Sequence, residues 1–245
     1  MVVDVFELDN VSFAYRGVTA LHRVSLTVPA GRRLALLGAN GCGKSTLLRI
    51  LDGLYFADSG TVRYHGAALT EVEFEHDSFS HAFRKRVGLV FQNPDVQLFC
   101  PTVFDEIAFG PLQLGWEKDR IKSTVAEALE YFEIADLRDR APHRLSGGEK
   151  KRVALASVLI MNPEVILLDE PTAALDPRSQ GQIVHLMKSW ESLGKTLVIA
   201  THDLHLLAEI ADDCIVLDKG RIAGRGTPAQ VLADEPMLRA ANLIR

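Results

Sequence analysis

Residues 38–45 read Gly-Ala-Asn-Gly-Cys-Gly-Lys-Ser and satisfy the pattern G-x-x-x-x-G-K-[ST], and no other stretch restricts the fold as strongly. A continuous apolar run at 34–37 precedes it, and Leu47, Leu48, Leu51 and Leu54 follow at helical spacing. The loop therefore joins a buried strand to an amphipathic helix. Its glycines let the backbone wrap closely where a Cβ would intrude, so that several amide N–H groups point at a bound phosphate. The helix adds its positive N-terminus. In such a loop Lys44 reaches the β and γ phosphates of a nucleotide, and the Ser45 hydroxyl ligates Mg2+. The expected cradle comprises Gly38, Ala39, Asn40, Gly41, Cys42, Gly43, Lys44, Ser45 and Thr46, with Cys42 as a small filler rather than a reactive thiol.

The rest of the chain supplies the sheet around that loop. Runs at 87–91, 165–168, 197–200 and 215–217 are apolar throughout and suit strands covered on both faces. By contrast, 5–15, 26–28 and 61–64 alternate and suit half-buried antiparallel strands. Ile121, Val125, Ala128, Leu129 and Phe132 mark one helix; Ile183, Met187 and Trp190 mark another that stops at Gly194. Strands alternating with helices predict an α/β core with a parallel sheet. The segment 93–162 lacks a strong strand signal and reads as a helical insertion. The expected organisation is a single domain over 1–245, with a core at 1–92 and 163–232, a helical subdomain at 93–162 and a short tail at 233–245.

Composition excludes several function classes. Of 245 residues, 47% are hydrophobic, enough to bury a core. Twenty-seven Lys and Arg against 32 Asp and Glu leave a net charge of −5, so no global basic field is available to hold a nucleic acid. Cys42, Cys100 and Cys214 are odd in number and widely spaced, which fits neither a disulfide framework nor a C-x-x-C motif and indicates a reducing compartment. The start MVVDVFELDN carries acids where a secretory leader would be basic, and apolar runs fall short of the ~18 residues that span a bilayer. A soluble chain is expected, free to sit against a membrane through a partner.

Two carboxylates end the apolar run at 165–168. Asp169 is placed to hold Mg2+ through water, and Glu170 to orient or deprotonate the attacking water. His202 closes the run at 197–200 and can reach the γ phosphate. Gln92 closes the run at 87–91 and offers an amide to metal or water. Taken singly, His202 fits a structural strand-end histidine and Gln92 a loop glutamine. The expected catalytic set is Glu170, His202, Gln92 and Lys44; the expected metal set is Ser45, Gln92 and Asp169.

Leu145-Ser146-Gly147-Gly148-Glu149 opens a further helix with Ser146 and Glu149 at capping-box spacing. A cap does not explain two glycines in a first turn, each costing ~1 kcal/mol against alanine. Phosphate binding by exposed amides at a positive helix end does. With these residues in view, the chain resembles the ATP-binding cassette (ABC) ATPases over essentially its whole length. The phosphate loop, Gln92, LSGGE, the strand ending in Asp169 and Glu170, Ala174-Leu175-Asp176 and His202 occur in the family's order.

The resemblance implies a P-loop NTPase fold with a RecA-like parallel core, an N-terminal antiparallel β subdomain and the inserted helical subdomain. It implies ATP and Mg2+ as cofactors, and a head-to-tail dimer, expected to be a homodimer, with two ATPs at its interface. Each ATP lies between the phosphate loop of one subunit and Ser146, Gly147 and Gly148 of the other. It places Asp176 at that interface and Tyr15 against adenine, although a tyrosine packing on a sheet explains Tyr15 as well. Ala173 departs from the serine common at its position.

The segment from Phe91 to Pro111 is similar to the ATPases of energy-coupling factor importers, particularly their cobalt and nickel branch, and the tail with Pro228, Val231, Leu232, Leu238 and Leu243 also matches. That resemblance implies a transmembrane T component gripped near Gln92 to Phe109, a substrate-binding S component, and a peripheral position on the cytoplasmic face of the membrane. The short tail favours a dedicated transporter. The residues alone leave Leu98, Phe99, Phe104 and Phe109 as either an exposed groove or a local core. Thr102 and Asp105 are expected to cap a short helix that Gly110-Pro111 ends, and 71–80 to form a solvated loop. His65, His76 and His81 around Asp77 fit no compact chelate. Alternatives are an importer for biotin or another vitamin, a non-transport ABC protein using ATP as a switch, and a P-loop kinase, which would need an acceptor site and no LSGGE.

Overall fold

Two sheets of different burial carry the site. In the computed structural model, which describes residues 4–245, so that Met1, Val2 and Val3 of the acidic start lie outside the described residues, the chain begins with β1 (Asp4–Tyr15), β2 (Val18–Pro29), β3 (Arg33–Leu37) and α1 (Lys44–Leu51). Next come β4 (Ser59–Tyr64), β5 (Ala67–Ala68), α2 (Glu71–Phe74), α3 (Asp77–Arg86) and β6 (Val87–Val90). Three helices follow: α4 (Val103–Gln113), α5 (Lys118–Tyr131) and α6 (Gly147–Leu159). The chain closes with β7 (Val165–Asp169), α7 (Pro177–Ser192), β8 (Thr196–Thr201), α8 (Leu207–Ile210), β9 (Asp213–Asp218), β10 (Arg221–Gly226), α9 (Pro228–Ala233) and α10 (Glu235–Ala240).

The smaller sheet has the order β2-β1-β4-β5 and is antiparallel; the larger has the order β10-β9-β3-β8-β7-β6. In the larger, β9, β3, β8, β7 and β6 pair in parallel and β10 closes one edge antiparallel to β9. Its strands are apolar throughout because both faces are covered. Ala35 and Leu37 pack on the side of α5, α6 and α7, while Leu34 and Leu36 pack on the side of α1 and the smaller sheet. Ile166 and Leu168 against Val165 and Leu167 repeat the division in β7. Parallel strands end on the same edge, so the ends of β3, β7 and β8 bring the phosphate loop, Asp169, Glu170 and His202 together.

Two expectations are corrected. α4 does not end at Gly110-Pro111 but runs to Gln113 and stops at Gly115, whose φ is 68°. Pro111 removes a single backbone donor in the last turn, while Val103, Ile107 and Ala108 hold the helix against the core. The stretch 71–80 is not a loop: Thr70 caps α2, and Phe74, Phe79 and Phe83 pack edge to face or stacked, with Phe83 buried. The four apolar residues beside Gln92, open between an exposed groove and a local core, divide between the two. Phe99 and Phe109 are exposed and meet edge to face at 4.9 Å, whereas Leu98 and Phe104 are half-buried against the core. The tail docks on the core through Val231 and Leu238, both buried.

Candidate functional site

The phosphate loop leaves β3 with glycines in conformations that side chains resist. Gly43, at φ 111°, lies so close to β2 that a Cβ would stand 2.6 Å from the carbonyl oxygen of Ala20. At Gly38 a Cβ would meet Cys42 Sγ and the Leu217 carbonyl. Cys42 is buried as the expected filler, and burial pushes its thiol pKa up, away from reactivity. Gly43 occupies the N-cap position of α1 and brings no side-chain cap, and the first turn holds no acid. The positive helix end is therefore left for an anion.

A cleft of about 410 Å3 opens over this loop. It brings together Tyr15, Asn40, Gly41, Gly43, Lys44, Ser45, Thr46, Gln92, Asp169 and Glu170. Lys44 is buried, and its Nζ donates to the carbonyls of Gly38 at 2.6 Å and Ala39 at 3.3 Å while standing 3.6 Å from Glu170 Oε1. Tyr15 is 36% exposed at the rim, with its hydroxyl 3.2 Å from Thr46 Oγ1 and its ring edge-on to Phe13 and Tyr55. Tyr55 completes this aromatic wall, and no motif in the sequence marks it.

Asp169 is buried, and its Oδ1 has no hydrogen-bond partner. Burial pushes its carboxyl pKa up, a hydrogen bond from Ser45 opposes this, and the neighbouring Glu170 raises it further. A buried, unpartnered carboxylate oxygen beside a serine hydroxyl is a hard-oxygen donor set that fits Mg2+. Glu170 follows in the left-handed region at φ 45°, with its backbone N–H donating to the Ala200 carbonyl at 2.9 Å. That turn swings its side chain toward Lys44 and toward His202, whose Nδ1 is 2.8 Å from Glu170 Oε1. Gln92 is exposed on the cleft wall, two residues beyond the end of β6.

The remaining expected residues do not line this cleft. Ser146 caps α6, accepting from the Glu149 N–H, while Glu149 accepts from the Ser146 N–H at 2.7 Å, completing the capping box. A Cβ on Gly147 would meet nothing within 4 Å, whereas one on Gly148 would lie 2.7 Å from Ser179 Oγ. Gly148 therefore has a packing reason within the chain and Gly147 has none. Asp176 caps α7, accepting from the N–H groups of Arg178 and Ser179 and from the Ser179 hydroxyl at 2.6 Å.

Two buried charges, Lys151 beside Gln92 and Glu106 under the Phe99 loop, carry no motif in the sequence. Lys151 in α6 is 2% exposed; burial pushes its pKa down to about 8 while Asp169 and Glu170 oppose the shift. Glu106 in α4 is buried and accepts from the N–H groups of Phe99 at 2.8 Å and Cys100 at 2.7 Å, fixing the exposed Phe99 loop. Their residue types give no sign of burial in the sequence. Among the described residues, no three His, Cys, Asp or Glu side chains cluster to hold a metal, and His65 pairs instead with Glu164. Likewise, among the described residues no helix is long and apolar enough to cross a membrane.

Comparison with known proteins agrees with this geometry. A family model described as ABC transporter matches residues 21–173. The nickel import ATP-binding protein NikO of Rhodobacter capsulatus is 57% identical, over 98% of this chain and 95% of that protein. The structure of cbiO1 from Clostridium perfringens, described as part of the ABC transporter complex cbiONQ, superposes with a TM-score of 0.82 at 35% identity, covering 98% of this chain and 95% of that one. The ATP-binding cassette MJ0796, solved as a dimer in a post-hydrolysis state with ADP and Pi, gives a TM-score of 0.82 at 27% identity, covering 91% and 98%.

Proposed function

The chain belongs to the ABC transporter family and is an ATPase of it, and from that premise we propose that it powers an energy-coupling factor importer for a transition-metal ion, nickel or cobalt. The catalytic half of this reading rests on one constellation: Lys44, Asp169, Glu170 and His202 converge at the ends of three strands over an uncapped helix N-terminus. The metal-import half rests on the 57% identity to a nickel import ATP-binding protein.

ATP lies along the cleft with adenine at Tyr15 and its phosphates on the amides of 38–46. Lys44 turns from the loop carbonyls to the β and γ phosphates. Ser45 and Asp169, with Gln92, would hold Mg2+, which would supply positive charge to the phosphates. Glu170 accepts the proton of the attacking water, and His202, hydrogen-bonded to it, holds the carboxylate in place and faces the γ phosphate. Ser146, Gly147 and Gly148 serve the nucleotide of a second copy, and Asp176 lies at that interface. Loss of the γ phosphate opens the dimer, and the opening drives the membrane partners. The chain acts as one unit, with core 1–92 and 163–232, helical subdomain 93–162 and tail 233–245. It sits at the cytoplasmic face of the membrane, with a T component held beside the exposed Phe99 and Phe109 and an S component that binds the ion.

The test is co-expression with the membrane proteins that copurify in detergent, followed by uptake of radioactive nickel and cobalt. Uptake that requires ATP and is lost with Glu170→Gln supports the motor. Retention of RNA or DNA at moderate salt, with no membrane partner, would favour a non-transport ABC protein.

A further inference from the structure

The functional reading gives roles to Gln92 and to the start of α6 but leaves unexplained why a lysine is buried between them. Lys151 is 2% exposed, and its Nζ donates to the carbonyl oxygens of Phe91 at 2.9 Å and Gln92 at 3.1 Å. Two further side chains tie the same short segment to the same helix. Lys150 Nζ is 2.7 Å from Asp95 Oδ1. Gln97 accepts from the Phe91 N–H at 3.2 Å and donates to the Ala154 carbonyl at 2.9 Å.

Residues 91–97 leave β6 without regular strand pairing, so nothing in the sheet fixes the carbonyl of Gln92. An ammonium on a four-carbon stem satisfies two carbonyls at once, whereas methionine offers no donor and the glutamine amide sits on a stem one atom shorter. Desolvating that charge is costly, and the nearby carboxylates of Asp169 and Glu170 offset part of the cost. A lysine kept under such conditions holds a backbone position that packing alone does not set.

We propose that Lys151 is a positioning residue for ATP hydrolysis, fixing the Gln92 backbone to α6 so that the Gln92 amide stays at the cleft. This rests on the reading of Gln92 as a site residue. It also links the two half-sites of one subunit, because the helix that grips Gln92 is the one opened by Ser146, Gly147 and Gly148. Motion of that helix on a partner's nucleotide is transmitted to Gln92 through Lys151.

The experiment is a double-mutant cycle on the purified full chain, reading phosphate release against ATP concentration. Lys151→Met is expected to lower kcat about tenfold or more, with KM for ATP within about twofold, because misplacement of a positioned group by ~1 Å costs up to ~100-fold in rate. In a Gln92→Ala background the same substitution is expected to have no further effect, and Lys151→Arg, which keeps charge and donors, to retain most of the rate. Wild-type kcat in Lys151→Met, an equal loss in the Gln92→Ala background, or a change confined to KM would each overturn the proposal. If Gln92→Ala itself turns over at the wild-type rate, the role of Gln92 fails first and the proposal falls with it. Should Lys151→Met fail to fold by circular dichroism, Lys151→Gln, which keeps an amide donor, takes its place in the same cycle.

Discussion

His202 Nδ1 lies 2.8 Å from Oε1 of Glu170, whose backbone turns through φ 45° directly after β7. The same carboxylate oxygen is 3.6 Å from Lys44 Nζ, so one buried acid stands between the two groups to which we assign the γ phosphate. On the proposed reading, in which ATP draws Lys44 to its phosphates, the hydrogen bond to His202 is what would keep Glu170 in place.

Glu170→Gln keeps the shape and the acceptor but cannot take a proton. Turnover is expected to fall about 100- to 10,000-fold, the usual worth of a general base, while ATP affinity persists and light scattering finds an ATP-bound dimer. Phosphate release at the wild-type rate would remove Glu170 from the base role.

Lys44→Ala removes the ammonium that we propose pairs with the β and γ phosphates. A fluorescent ATP analogue is expected to bind about 100-fold more weakly or not measurably, given the ~1.5–3 kcal/mol carried by a hydrogen bond to a charged group. Unchanged affinity would mean that the loop amides and the helix end suffice.

Asp52 closes α1 and is buried, with Arg84 Nη1 at 3.1 Å from its Oδ2. Burial pushes its carboxyl up to about 7, against the lowering influence of Arg84. A folded-state value above the unfolded one, ~3.9, means that folding favours the protonated acid. Its contribution is most favourable below about pH 4 and is lost as pH rises through about 7, with a slope of at most ~1.4 kcal/mol per pH unit. Urea melts of wild type and Asp52→Asn are therefore expected to converge at low pH and to separate as pH rises, with the variant less pH-dependent. A difference that stays constant from pH 5 to 8 would refute the buried-acid account.

Much of this site was legible because its chemistry is carried by short spacings on strand ends. The run 38–45 and the strand ending in Asp169 and Glu170 each place their groups through local geometry that the sequence encodes. The Glu170 to His202 contact needs only that β7 and β8 be parallel neighbours, as their apolar character implied. What escaped depends on distant partners. Lys151 and Lys150 read alike as surface lysines, yet one turns inward to the carbonyls of Phe91 and Gln92 and the other meets Asp95. Gly110-Pro111 reads as a helix stop by local rule, but packing of α4 against α6 outweighs one lost hydrogen bond. Phe74, Phe79 and Phe83 sit in a strongly charged stretch whose polarity hid their mutual packing.

The glycine pair that opens α6 separates fold from function. At Gly147 a methyl group meets nothing within 4 Å, and alanine is the better helix former by ~1 kcal/mol, so Gly147→Ala is expected to melt at or above the wild-type temperature. At Gly148 the methyl would stand 2.7 Å from Ser179 Oγ, whose own hydrogen bond to Asp176 helps cap α7, so Gly148→Ala is expected to melt lower. If the amides of this turn bind the phosphate of a second copy's ATP, both substitutions reduce hydrolysis, and Gly147→Ala does so without any loss of stability. In a Glu170→Gln background it would also abolish the ATP-dependent dimer seen by light scattering. A Gly147→Ala protein that hydrolyses ATP at full rate would mean that the turn never touches nucleotide, and each cleft would then have to be complete within one chain.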